Sequence, residues 1–148
     1  MFKKILVPTD GSDVGAKAAS VAAEMAKAAG GQVVGVYVID PFPYIGIGDA
    51  SAVGLQSYLS DAKRVAGAAL EQVASACRAQ GVPFAGDTIE RNLVWEGILE
   101  TAKAEGIVIY TIRLEERDVA TGTMLQQCAT SPAHYFDAPS RSQLDEVF

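Results

Sequence analysis

The sequence predicts an α/β fold: a single doubly wound open sheet of five mainly parallel strands, in the order 3-2-1-4-5, with helices on both faces. Short apolar runs alternate with long amphipathic ones from end to end, the pattern of repeated strand–helix–strand steps. The runs Ile5-Leu6-Val7 and Val33–Ile39 have no polar alternation, as expected of strands covered by helices on both faces. A chain of 148 residues, 49% hydrophobic and 20% charged, suits one domain with its own core.

Taken in order, Ile5-Leu6-Val7 is the first strand, and Pro8-Thr9-Asp10-Gly11-Ser12 is a turn rich in helix N-cap residues. Val14–Ala29 is an alanine-rich helix, with Ala18, Val21, Ala22 and Met25 at core-facing spacing and Gly30-Gly31 as its stop. Val33–Ile39 is the second strand. Asp40–Gly54 carries Pro41, Pro43, Gly46 and Gly48 and is expected to be a loop. Leu55–Ala79 is a long helix whose stripe includes Leu59, Ala66, Val73 and Cys77, ended by Gly81-Val82-Pro83. Phe84–Ile89 is the least apolar strand and is expected at a sheet edge. Leu93–Glu105 is a helix closed by Gly106, and Ile107–Leu114 is the fourth strand. A charged loop, Glu115–Asp118, leads to a helix over Val119–Ala129. His134–Asp137 is a short last strand, and Ser140 caps a final turn bearing Leu144 and Val147.

The net charge of -6 excludes a non-specific nucleic-acid binder and adhesion to anionic membranes, both of which need a basic face. Cys77 and Cys128 are far apart and the chain has one histidine, so neither a Cys/His zinc site nor a disulfide framework is expected. No apolar stretch reaches the length of a membrane span. The opening apolar run stops at Thr9-Asp10, too short for a signal peptide. The expectation is a cytoplasmic protein.

Ligands of open α/β sheets bind at the carboxyl ends of the strands, which singles out Pro8, Thr9 and Asp10. Asp10 and Ser12 equally suit capping of the first helix. Gly46-Ile47-Gly48 is a lone Gly-x-Gly that neither ends a strand nor opens a helix, so it reads as loop. Ser12, Ser131 and Ser140 offer hydroxyls, but nothing in the sequence sets one beside His134 with an orienting acid, so no catalytic residue is expected. Cys77 reads as core, Trp95 as a packing anchor, and the reactivity of Cys128 is left open.

Lys4-Ile5-Leu6-Val7-Pro8-Thr9-Asp10-Gly11-Ser12, together with Val36-Tyr37-Val38-Ile39-Asp40, resembles the universal stress protein family. The likeness runs to Ala102-Lys103-Ala104-Glu105-Gly106. It implies a homodimeric stress-response module, with Pro8, Thr9, Asp10 and Val38 on the adenosine side of an ATP or AMP site. Beyond Gly106 the chain departs from the family pattern, which has a Gly-x2-Gly-x9-Gly-Ser/Thr segment around the phosphates. Only Gly122 follows here. Residues 107–148, with Leu125-Gln126-Gln127-Cys128-Ala129 and Ser131–Ala138, are instead similar to the end of von Willebrand factor A domains of Tad-type pilus-assembly proteins. The expectation is a hybrid, natural or engineered, folding as one domain over residues 1–148.

The metal site of that second family needs Asp-x-Ser-x-Ser. Val14 stands at the last position after Asp10 and Ser12, so no metal is expected. Where the phosphates would lie, Glu115, Glu116 and Asp118 outnumber Arg113 and Arg117, with Thr121-Gly122-Thr123 as hydrogen-bond donors. Like charge there works against a polyanion. Three functions follow. The first is a non-enzymatic stress-protein-like module with at most a degenerate adenine-nucleotide site. The second is a ligand-free interaction or structural domain. Separately, the homodimer is expected to use a surface bearing Tyr135 and Phe136. The last in rank is an ATP-binding or weakly hydrolysing protein.

Overall fold

The computed structural model describes residues 3–41, 51–114 and 118–138. The chain divides into two compact units, residues 1–101 and 102–148, and the boundary falls within a helix. Gly46-Ile47-Gly48, Glu115, Glu116, Arg117, Ser140, Leu144 and Val147 lie outside the described residues.

The first unit is built on three parallel strands: β1 (Lys4–Pro8), β2 (Gln32–Ile39) and β3 (Phe84–Glu90). β2 is central, pairing Lys4↔Gln32 through Pro8↔Val36 on one side and Val33↔Phe84 through Ile39↔Glu90 on the other. β3 lies at one edge of this ladder and β1 at the other. Two helices make the crossovers: α1 (Asp13–Ala29) from β1 to β2, and α2 (Ser51–Gln80) from β2 to β3. Val7 and Val33 from the sheet, alanines of α1, and Val73 and Cys77 of α2 form the core, with Ile5 and Phe84 packed against it.

α1 starts and stops where its sequence directs. Ser12 is the N-cap, its hydroxyl oxygen accepting from Gly15 N at 3.1 Å. Gly30 closes the helix in the left-handed region (φ 58°), and Gly31 N donates to Ala26 O at 2.8 Å. The face it buries is only partly the expected one: Ala22 is inward as expected. Ala19, Ala22, Ala23, Ala26 and Ala29 point inward, while Ala18, Val21 and Met25 are exposed. Alanine lets the helix axis approach sheet and neighbouring helix closely, and bulk there would hold it off. α2 begins at Ser51, earlier than the expected Leu55, and keeps its predicted inward stripe except for Val65, which is 42% exposed.

α3 (Val94–Ala104) packs its first turns on the sheet through a glycine. A Cβ added at Gly97 would sit 2.8 Å from Val38 Cγ2 and 3.0 Å from Ile89 Cγ2. Ordinarily Gly→Ala within a helix gains up to about 1 kcal/mol. Here the clash outweighs that gain, and Gly97→Ala is expected to lower stability by about 1–2 kcal/mol, read from the midpoint of urea unfolding. An unchanged or raised midpoint would show that Val38 can yield. Trp95, expected to anchor packing, is 48% exposed.

In the second unit, β4 (Thr111–Leu114) pairs in parallel with β5 (Tyr135–Ala138), Thr111↔Tyr135 through Leu114↔Ala138. α4 (Val119–Cys128) joins them, capped by Asp118, whose carboxylate accepts from Thr121 N at 2.7 Å. β4 is shorter than the expected Ile107–Leu114. The reason lies at Ile109: its N–H donates to Thr130 Oγ1 at 2.7 Å and its carbonyl accepts from Thr130 N at 3.1 Å. Those groups are taken before a longer strand can use them. Among the described residues the strands form two ladders, β1-β2-β3 and β4-β5; a single five-stranded one was the expectation. His134 belongs to a 3-10 turn (Pro132–His134) that precedes β5. Tyr135 and Phe136 are half-buried, Phe136 stacking on Tyr110 with ring centroids 6.3 Å apart, so they do not form the open aromatic surface expected of them.

Candidate functional site

A cleft of about 430 Å³ opens at the carboxyl ends of β1 and β2, a volume in the range of small-ligand pockets. The end of β1 supplies Pro8 and the turn after it Thr9 and Asp10; β2 supplies Val36 and Val38. The four residues singled out from sequence thus line one cavity. The reading missed the opposite wall, which is Val94 and Ile98 of α3 with Val14 and Ala18 of α1. The available signal was Gly97: a glycine inside a helix marks a close approach, and it sits one residue before Ile98.

Local hydrogen bonds hold the turn in place. Thr9 N donates to Val36 O at 3.0 Å, tying the turn to the central strand. Thr9 Oγ1 accepts from Gly11 N at 3.2 Å, and Asp10 Oδ1 accepts from Ser12 N at 2.9 Å. Gly11 takes a φ of 79°, a conformation other residues rarely hold. A Cβ on Gly15 would come within 3.2 Å of Thr9 Oγ1 and 3.3 Å of Asp10 Oδ1, so the glycine leaves these side chains their room. Of the two capping candidates, Ser12 caps and Asp10 braces Ser12.

Hydrogen bonds from the Ser12 hydroxyl and backbone hold the Asp10 carboxyl below the usual aspartate range. Thr121 does the same for Asp118 through its backbone N–H and its hydroxyl. A carboxyl with a depressed folded-state pKa stabilises the fold above its unfolded value, and that contribution is lost as pH falls through the folded value. Asn at both positions keeps the acceptor and removes the titration. The Asp10→Asn/Asp118→Asn variant is therefore expected to lose less thermal stability than the parent as pH drops below about 4. Parallel Tm-against-pH curves would contradict it.

Asp10 is the single charged side chain among the described residues lining the cleft. No group of three or more His, Cys, Asp or Glu able to hold a metal occurs among the described residues. Elsewhere, Ser131 Oγ lies 2.8 Å from His134 Nδ1, a pairing that the sequence did not suggest. It is a local contact within one turn, and the ring also meets Tyr110 edge-on at 4.8 Å. Cys77 is buried, and the apolar surroundings push its thiol pKa up. Cys128 is half-buried. No helix among the described residues is long and apolar enough to cross a membrane.

Parallel strands, crossover helices and a cleft at the strands' carboxyl ends define an α/β protein of the doubly wound, Rossmann-like class. The profile of the universal stress protein family matches residues 1–121, and the chain belongs to that family. A universal stress protein of Methanocaldococcus jannaschii is 45% identical over 47 residues, 32% of this chain and 28% of that relative. The aligned stretch thus spans under a third of the relative's length. A universal stress protein family structure from Burkholderia pseudomallei superposes with a TM-score of 0.59 at 24% identity, covering 93% of this chain and 96% of that one. One from Arabidopsis thaliana with AMP bound gives a TM-score of 0.54 at 12% identity, covering 93% and 92%. At these identities the likeness establishes the fold. The family match passes beyond Gly106, where the change to a second family was expected.

Proposed function

We propose that the chain is a non-enzymatic stress-response module of the cytoplasm, working as a homodimer. Its cleft takes adenosine or AMP and holds ATP weakly or not at all. One observation carries the reading: Pro8, Thr9, Asp10 and Val38 line a single mostly apolar cleft whose one described charge is a carboxylate. Val38 and Ile98 suit a flat base, and Asp10 suits ribose hydroxyls as an acceptor. The same carboxylate opposes each added phosphate. Asp118, near the charged loop expected to face phosphates, is engaged as the α4 cap. The AMP bound by the Arabidopsis relative supports a monophosphate-sized ligand. Residues 1–148 are taken as one domain with strand order 3-2-1-4-5.

Calorimetry with adenosine, AMP and ATP at moderate salt tests the site. The expected order is adenosine at least as tight as AMP, and AMP at least as tight as ATP. Submicromolar ATP binding, or ATP retained through purification, would overturn it. The alternative is a ligand-free interaction domain, favoured by the apolar residues exposed near the cleft: Val14 at 75%, Val94 at 52% and Trp95 at 48%. Absence of heat with all three ligands would select it.

A further inference from the structure

The cleft at the carboxyl ends of β1 and β2 carries charge of one sign. Asp10 supplies it, and no Lys, Arg or His lines the cleft among the described residues. The turn beside it has already spent N–H groups of the kind that cradle a phosphate. Gly11 N donates to Thr9 Oγ1 at 3.2 Å, Ser12 N to Asp10 Oδ1 at 2.9 Å and Gly15 N to Ser12 Oγ at 3.1 Å. The positive end of α1 is answered from within the chain, by the Ser12 cap and by Asp13 in the first turn. A carboxylate has about four acceptor positions. Asp10 therefore keeps its charge and room for a ligand after meeting Ser12.

The rim around that carboxylate is apolar. Val14 and Val94 line the cleft and are 75% and 52% exposed. A cation suits the carboxylate, and the valines decide which kind. An ammonium group brings three N–H donors, and against valine they would be desolvated without partners. A sulfonium carries the same charge on a sulfur with only carbon substituents. It donates no hydrogen bond, so it can rest on valine while facing a carboxylate. We propose that the cleft selects a 5′-thioadenosine whose sulfur is a sulfonium. The base lies on Val38 and Ile98, the ribose hydroxyls meet Asp10, and the methylated sulfur reaches the Val14 and Val94 rim. With the sulfur about a ribose away from the carboxylate, roughly 5–7 Å, and water partly screening the pair, the charge is worth about 5–10-fold in affinity. Preference then runs from a 5′ cation, through a neutral 5′ group, to a phosphate.

The sulfonium preference rests on the adenosine reading above, and the test separates the two. The full chain is titrated calorimetrically with S-adenosylmethionine, S-adenosylhomocysteine, adenosine and AMP. The first two differ by one methyl group and one positive charge. S-adenosylmethionine is expected to bind at least ~5-fold tighter than S-adenosylhomocysteine at about 50 mM salt, with the ratio falling toward ~2-fold at about 500 mM. Asp10→Asn keeps an acceptor and removes the charge, and is expected to bring the low-salt ratio below ~2-fold. The salt series uses the parent protein alone, so the result does not depend on how well the variant folds. Adenosine binding with the two thionucleosides equal overturns the sulfonium preference and leaves the adenosine reading standing. A ratio that neither salt nor Asp10→Asn moves assigns the discrimination to the methyl contact and overturns the role of charge. AMP binding tighter than S-adenosylmethionine overturns the ranking, and no binding by any of the four overturns both readings.

Discussion

Val33→Asp is expected to abolish the folded state of the first unit. Val33 is 0% exposed, lies on the central strand and packs in the cluster with Val7, Val73 and Cys77. A carboxylate there would have apolar neighbours and no hydrogen-bond donor assigned to it. Burying such a group without a partner costs several kcal/mol even after it neutralises by taking a proton. The whole stability of a domain this size is about 5–15 kcal/mol. Trimming the same side chain with Val33→Ala leaves a small void and costs only about 2 kcal/mol. Far-UV circular dichroism on heating distinguishes the two. The alanine variant should keep a cooperative transition at lower temperature, and the aspartate variant should show none. An aspartate variant melting within a few degrees of the parent would mean Val33 is not core.

The central strand was legible because nothing along Val33–Ile39 is polar, and a strand with no polar face has one place to go. The same logic failed on α1. Val21 and Met25 are more apolar than Ala19 or Ala23, so hydrophobicity alone put them inward beside Ala22, and of the three only Ala22 is buried. Here the deciding factor is closeness of approach, and transfer free energy does not encode it. Gly97 posed the same problem in α3. β4 was overextended because every residue of Ile107–Ile112 is β-branched or aromatic, while the residue that stops it, Thr130, lies far along the chain. At the cleft, Pro8, Thr9 and Asp10 were readable from position at a strand end, and Val38 from family resemblance. Val94 and Ile98 were not, because tertiary packing of α3 brings them there.

The second large effect separates the two faces of α1. Ala26→Leu is expected to destabilise the first unit by about 2–4 kcal/mol. Ala26 is 0% exposed, and three added carbons must either push the helix off the sheet or displace neighbours in the core. Met25→Ala, one residue away, removes as many heavy atoms as the other adds, yet it should shift stability by no more than about 0.5 kcal/mol. Both are measured by urea unfolding. Equal effects at the two positions would contradict the orientation of α1, as would a larger loss for Met25→Ala.

The alanine face also bears on the order in which the chain assembles. Alanine has no side-chain rotamers to freeze and is the strongest helix former. Ala19, Ala22, Ala23, Ala26 and Ala29 can therefore dock without the entropy cost that leucine or methionine would add. A 17-residue helix that flickers into existence in the unfolded chain is about 25 Å long, far shorter than the same stretch extended. It brings the ends of β1 and β2 within reach of each other before any strand hydrogen bond forms. Parallel pairing is normally slow because the connection must close first. In this chain the connection shortens itself, and β1-α1-β2 becomes the natural nucleus onto which α2 and β3 add.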